Sequence, residues 1–495
     1  MPAGSSLARL ICFPVASRSI TLPFSRVASV YARWLNMIAL EVCTLIDMRG
    51  LFGPVSTFGR PDFNPTRIAD HRSPRRAPLS FRVLWQPSLP ERYTKAAPAE
   101  LAAAIAARRK QLGPSVVILG HHYQTDDIIQ HADHTGDSLK LSQIAAQLCE
   151  KNAATKTIIF CGVHFMAESA DMLTPEGVDV VLPDLSAGCS MADMAQYDDT
   201  VDAWDSIHAA LAQQGWRGRI IPITYVNSSA AIKAFVGAHG GACCTSSNAD
   251  AVFAWAMAGG TAAAAPGENI KILFLPDQHL GRNTAAKAGI DVVRHTTLFD
   301  PRIAAKGNPL GGSTPEQLLA SSVILWAGHC SVHKLFRPEH CDQIRAGDAK
   351  DGTSTTIMVH PECAKEVVDK SDLAGSTEYI IQQIRKAPSG SRWAVGTEVH
   401  LVTRLAREAA QRNVHVRILS DCQCLCTTMY RIDQPHLLWI LDGLAGEGTK
   451  DGKPVTRNII RVHPEVRKDA LLALDRMLKH TGASTAKFTQ AAGVE

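Results

Sequence analysis

Three apolar runs in this 495-residue chain end in a cysteine set in a Gly/Ser-type turn. They read V-V-L-P-D-L-S-A-G-C closing at Cys189, V-I-L-W-A-G-H-C closing at Cys330, and V-R-I-L-S-D-C-Q-C-L-C closing at Cys426. Thiolate sulfur binds iron and zinc, and one cysteine at the end of each of three similar strands points to three units sharing a central site. Three thiolates leave a four-metal cluster or a tetrahedral ion one ligand short, so one position stays free for substrate. Cys422, Cys424 and Cys426 form a C-x-C-x-C triple. A zinc ribbon needs a second cysteine pair at comparable spacing, and none exists. If the triple lies on a strand, alternation lets all three side chains share a face; on a turn, one suffices. Cys149 and Cys161 fall in apolar helix and strand settings and read as packing residues.

Polar residues gather beyond other apolar runs. The run 116–119 breaks into His121, His122, Tyr123 and Gln124; the run 219–224 ends in Tyr225 and Asn227; the run 356–359 ends in His360 and Glu362. A further set follows 157–160, 272–275 and 393–395 and brings His164, then Asp277 and His279, then Glu398 and His400. These five read as supporting or interdomain contacts. Ser138, Ser246 and Thr377 each stand where a helix is expected to begin. Exposed N–H groups and a hydroxyl bind anions there, and recurrence at equivalent places in three units favours binding over plain capping. Strand alternation is expected to turn His122 away.

Strand-length runs alternating with helical segments, each ending in polar residues, are the pattern of parallel α/β layers that bind ligands at strand carboxyl ends. Continuous apolar runs fit strands covered on both faces. The expected fold is α/β: three pseudo-symmetric three-layer αβα domains with parallel sheets around a central active site. The units span 96–191, 192–332 and 333–430, with 431–485 packing back on the body and 486–495 a tail. Residues 1–95 form an N-terminal extension expected to be poorly ordered. Its first 90 residues hold eleven Arg, no Lys and four acidic residues, a composition that imitates a transit peptide.

Net charge is +4, and the body carries no basic run interleaved with aromatics, which argues against nucleic acid. No apolar window reaches the roughly 18 residues of a membrane span. Thirteen irregularly spaced cysteines suit a reducing cytoplasm with metal-binding thiols better than a disulfide scaffold.

Several motifs together resemble the quinolinate synthase family. They are G-H-H-Y-Q at 120–124, G-D-S-L-K-L-S at 136–142, Y-V-N-S-S-A at 225–230, C-T-S-S-N-A at 244–249 and P-D-Q-H-L-G-R at 276–282. G-H-C-S-V-H at 328–333, V-H-P-E-C at 359–363, G-S-T-E at 375–378 and D-C-Q-C-L-C-T-T-M at 421–429 complete the set. The resemblance implies condensation of iminosuccinate (iminoaspartate) with dihydroxyacetone phosphate to quinolinate, phosphate and water in de novo NAD biosynthesis. It also implies a [4Fe-4S] cluster held by Cys189, Cys330 and Cys426, with the open iron as Lewis acid. Cys426 is chosen from its triple because the family's ligand stands three residues before a Met, here Met429. The family comparison places iminosuccinate contacts at His121, Ser138, Tyr225, Asn227, Ser246, His360, Glu362 and Thr377. Glu362 is then the expected general acid/base, with His360 and Tyr123 as proton partners and His333 near the cluster. An L-aspartate oxidase that supplies the imine is the expected protein partner.

Two competing readings remain. One is a mononuclear metal-dependent lyase or aldolase with His121, His360 and Glu362 on Zn²⁺ or Fe²⁺. The other is an iron–sulfur redox protein built on Cys422, Cys424 and Cys426.

Overall fold

The structure, a computed structural model, describes residues 86–480 except 152–153, 422–423 and 450. All described residues belong to one compact unit, Phe81–Glu495. Three separate sheets run through it. The first comprises β1 (Val116–His121), β2 (His134–Gly136), β3 (Thr157–Cys161) and β4 (Asp179–Val181). The second comprises β5 (Gly218–Tyr225), β6 (Ala242–Cys244), β7 (Asn269–Leu275), β8 (Thr296–Phe299) and β9 (Val323–Trp326). The third comprises β10 (Thr355–Val359), β11 (Leu373–Ala374), β12 (Arg392–Gly396) and β13 (His415–Ile418).

One strand order underlies all three: β2-β1-β3-β4, β6-β5-β7-β9 and β11-β10-β12-β13, all parallel. The outer edges differ. Strand β8 adds a parallel strand beside β9, and β14 (Ile459–Ile460) runs antiparallel beside β4. Burial on both faces accounts for the unbroken apolar runs: Ile118, Leu119, Ile158, Ile159 and Phe160 are fully buried, as are Ile272 to Leu275 in β7. Each such side chain contributes about 1.5–3 kcal/mol of hydrophobic stabilisation.

Helices cover both faces of the sheets. Those used below are α1 (Pro98–Leu112), α2 (Ser138–Lys151), α3 (Ala230–Ala238), α4 (Ala249–Met257), α5 (Gln278–Lys287), α6 (Thr377–Lys386) and α7 (Val399–Ala410). After the third sheet, α8 (Gln434–Ala445) packs on α1, while α9 (Pro464–Lys479) packs on α3 of the second unit.

Residues 86–95, read from sequence as part of the extension, join the body. Tyr93 is buried and its hydroxyl donates to Asp442 Oδ2 at 2.9 Å, and Gln86 Oε1 accepts from Leu185 N at 2.9 Å. Residues 1–85 and the tail 486–495 lie outside the described residues.

Candidate active site between three sheets

In a sheet of this order, the first and third strands are neighbours whose connections leave toward opposite faces, which opens a crevice at the carboxyl ends. All three crevices contribute to one pocket with about 700 Å³ of empty space. First-strand ends supply His121 and Tyr123, Tyr225 and Asn227, and His360 and Glu362. Loops after the second strands supply Ser138, Ser246 and Thr377, and loops after the fourth strands supply Cys189, Cys330 and Cys426. The three cysteines expected to hold the cluster, and every residue expected to bind substrate or carry protons, therefore line the same pocket. Among the described residues, no Lys or Arg lines it.

The cysteines are held in one local design. Each lies several residues beyond its strand, in the loop rather than at the strand terminus. Its carbonyl accepts an N–H four residues on: Asp193 to Cys189 at 3.0 Å, Lys334 to Cys330 at 3.1 Å and Tyr430 to Cys426 at 3.0 Å. A short 3₁₀ turn starts three residues after each, at Ala192, His333 and Met429, and that residue's N–H points to the sulfur. Gly328 brings the second loop in. Its carbonyl accepts from Gln278 N at 3.0 Å, and a Cβ there would stand 2.3 Å from Pro276 O.

Burial raises all three thiols, Cys189 to about 12, and the charges of the other thiols add to this for Cys189 and Cys330. Such a set is disfavoured as thiolate until a cation joins it, and metal coordination deprotonates thiols outright. The donors thus fit a metal centre reached from three sides. Among the described residues, the group able to hold a single ion is Cys330, His333 and Glu362, whose ligand atoms lie within 4.8 Å of one another. His121 and His360 are not in that group, so the mononuclear site read from His121, His360 and Glu362 is not the one the fold assembles.

The polar wall is ordered by hydrogen bonds. Tyr123 N donates to His121 Nδ1 at 3.1 Å and Glu362 N to His360 Nδ1 at 3.3 Å. Both imidazoles are held neutral, at about 3: burial dominates, with the His122 charge added for His121 and the His333 charge for His360. With Nδ1 accepting, the proton sits on Nε2. Burial pushes the Glu362 carboxyl up, but His333 and hydrogen bonds from His333 and Tyr225 outweigh it and hold it down at about 2. Glu362 is thus a buried carboxylate. The Tyr123 and Tyr225 phenols are pushed up by burial and by the Glu362 charge. A relay connects them: Tyr123 hydroxyl to Thr397 Oγ1 at 3.0 Å, Thr397 Oγ1 to His333 Nε2 at 3.2 Å, and His333 Nδ1 to Glu362 Oε2 at 2.9 Å.

Capping differs from expectation by one residue. Asp137 Oδ1 accepts from Lys140 N in α2, and Ser376 Oγ accepts from Tyr379 N in α6. Ser138 and Thr377 are therefore released from capping, and Thr377 Oγ1 stands 3.0 Å from the Tyr123 hydroxyl. Ser246 is not at a helix start. It lies in a turn closed by Asn248 Oδ1, which accepts from Thr245 N at 2.7 Å, before α4 begins at Ala249. Asn227 Oδ1 is buried without a hydrogen-bond partner in the protein, as a group reserved for a ligand would be.

The third-strand ends do a different job. Asp277 accepts from His279 N and Leu280 N at the start of α5, and Glu398 accepts from His400 N and Leu401 N at the start of α7. His164 lies 3.7 Å from Glu168, and His122 faces Glu378 at 4.0 Å outside the pocket lining. Cys424 is buried in the core of the third unit, away from the lining, and Cys422 lies outside the described residues. The triple therefore sends Cys426 to the pocket and Cys424 to the core, which removes the support for a redox centre built on all three. Thr397 was missed by sequence, since a threonine one residue past a strand carries no signal of its own.

The family model described as "Quinolinate synthetase A protein" matches residues 103–479. A quinolinate synthase of Rhodopirellula baltica is 47% identical over 384 residues, covering 76% of this chain and 89% of the relative. That of Acidobacterium capsulatum is 49% identical over 380 residues, covering 76% and 92%. That of Bacillus subtilis is 46% identical over 399 residues, covering 79% and 96%. The chain belongs to the quinolinate synthase family.

Proposed function

We propose that the three-sheet pocket is where this chain performs its family's reaction, condensing iminosuccinate with dihydroxyacetone phosphate to quinolinate. A metal cofactor goes with membership of the family, and we assign it as a [4Fe-4S] cluster on Cys189, Cys330 and Cys426. The observation that carries this reading is one thiol from each of three equivalent loops, lining one pocket with neutral donors around it.

When bound, such a cluster supplies an iron with an open position, a Lewis acid toward a substrate oxygen. The chain's own residues do the rest. Ser138, Ser246 and Thr377 offer hydroxyls to the carboxylates and phosphate. The Asn227 amide and the Nε2–H groups of His121 and His360 orient the imine. Glu362 takes a proton at Oε2, and His333, Thr397 and Tyr123 carry the exchange along their hydrogen bonds. Supply of the unstable imine by an oxidase acting on aspartate, in the cytoplasm, completes the reading. Among the described residues, no helix is long and apolar enough to cross a membrane.

The deciding experiment is an anaerobic assay for quinolinate from iminosuccinate and the triose phosphate with iron-loaded protein, beside Glu362→Gln. Turnover that survives fully in Glu362→Gln removes Glu362 as the acid/base. No quinolinate from protein carrying about four irons per chain removes the function.

A further inference from the structure

The pocket is only approximately threefold, and one corner departs from the other two. At the third position after each cysteine stand Ala192, His333 and Met429, so the Cys330 loop alone presents an imidazole. Glu362 meets that imidazole at 2.9 Å, and the Cys330 sulfur lies within 4.8 Å of both ligand atoms. His333 and Glu362 are each at least 97% buried, and among the described residues no Lys or Arg lines the pocket.

We propose that, when the cluster is absent, Cys330, His333 and Glu362 form a mononuclear site for Zn²⁺, and that zinc and cluster exclude each other because both need Cys330. A sulfur, a nitrogen and one carboxylate oxygen are the donors of a borderline-soft ion rather than of Ca²⁺ or Mg²⁺. Three protein ligands leave a fourth position toward the pocket. Two ligands about 2.0–2.1 Å from a tetrahedral ion stand roughly 3.3 Å apart. His333 Nδ1 and Glu362 Oε2, 2.9 Å apart, therefore need to part by a few tenths of an ångström, and the Cys330 sulfur, within 4.8 Å of the other ligand atoms, to stand roughly 3.6 Å from each. The surroundings already suit the change: His333 Nε2 has Thr397 Oγ1 as partner at 3.2 Å, and the ring stacks on His360 at 4.4 Å. A ligating imidazole with its other nitrogen hydrogen-bonded is the usual arrangement. Zinc takes Cys330 as the thiolate, so binding releases the thiol proton.

The test uses full-length, cluster-free protein under anaerobic conditions, titrated with Co²⁺ as a spectroscopic probe and then with Zn²⁺. One Co²⁺ per chain is expected, with a thiolate-to-cobalt charge-transfer band and the intense visible bands of a tetrahedral ion, all displaced by one equivalent of Zn²⁺. Cys330→Ser loses the charge-transfer band. His333→Gln and Glu362→Gln weaken binding beyond the roughly 10–100-fold cost of losing an outer hydrogen-bond partner. Cys189→Ala and Cys426→Ala keep the spectrum, and circular dichroism shows each variant folded. Zinc-loaded protein then fails to assemble a cluster from iron and sulfide until a chelator is added. Absence of stoichiometric binding, survival of the band in Cys330→Ser, or equal loss in Cys189→Ala overturns the site. The cobalt arm contains no iron, so its result stands apart from the cluster assignment.

Discussion

Thr397 Oγ1 lies 3.0 Å from the Tyr123 hydroxyl and 3.2 Å from His333 Nε2, which makes a short polar side chain the link between the first and third units at the pocket. Thr397→Val removes the hydroxyl with little change of shape. We expect kcat to fall on the order of 10–100-fold, less than the 10²–10⁴ of an acid/base itself, with iron content unchanged and Thr397→Ser largely restored. Steady-state kinetics checks this; an unaltered kcat in Thr397→Val would show the relay to be idle.

Cys189→Ala, Cys330→Ala and Cys426→Ala should each yield colourless protein that makes no quinolinate. Cys149→Ala should stay brown and active, because its thiol packs beside the first core and does not line the pocket. Iron analysis and a visible spectrum decide the matter, and a brown, active Cys330→Ala contradicts the ligand set.

Gly328→Ala places a methyl 2.3 Å from Pro276 O, so either the β7 end or the Cys330 loop must move. A loss of about 1–3 kcal/mol in stability is expected, with reduced iron content. Thermal unfolding of iron-free protein separates the first effect from the second.

Arg404 in α7 reaches across to the first unit. Its guanidinium donates to His122 O at 2.9 Å and Gln124 O at 2.6 Å and pairs with Asp126 at 2.8 Å. Those carbonyls belong to the loop that carries His121 and Tyr123. Arg404→Ala should cost about 1–3 kcal/mol and raise KM while iron stays bound. Arg404→Lys recovers only part of this, since an ammonium cannot span the same acceptors. An unchanged KM would mean that the loop holds its shape alone.

Stability should also depend on pH through His400. Its hydrogen bond to buried Glu398, 2.9 Å from Nδ1, raises the imidazole above its ordinary value. A raised folded value means the contribution is complete below the unfolded value of about 6.5 and fades as pH climbs through the folded one. The deficit in Tm of His400→Gln should therefore be larger at acidic than at alkaline pH. The opposite trend would show that His400 is not charged beside Glu398.

Much of this was legible because α/β units write their function at strand ends. Long buried strands such as 116–121 and 269–275 leave unbroken apolar runs, and the polar residues after them stand out. The two- and three-residue second strands, 134–136, 242–244 and 373–374, leave no such trace. Nor could sequence say that Asp137 and Ser376 take the capping bonds while Ser138 and Thr377 are left free for the pocket. A one-residue choice of cap depends on backbone angles, not on residue type.

Residue types and their recurrence determined three repeating units, three thiols and a ring of neutral donors, because local pattern encodes local structure. Tertiary structure decided which of these groups touch. It set Glu362 against His333 more closely than against His360, at 2.9 Å and 3.8 Å, and turned Cys424 inward while Cys426 reached the pocket. Contacts between residues far apart in the chain follow from how three sheets pack against one another, and no single stretch of sequence contains that information.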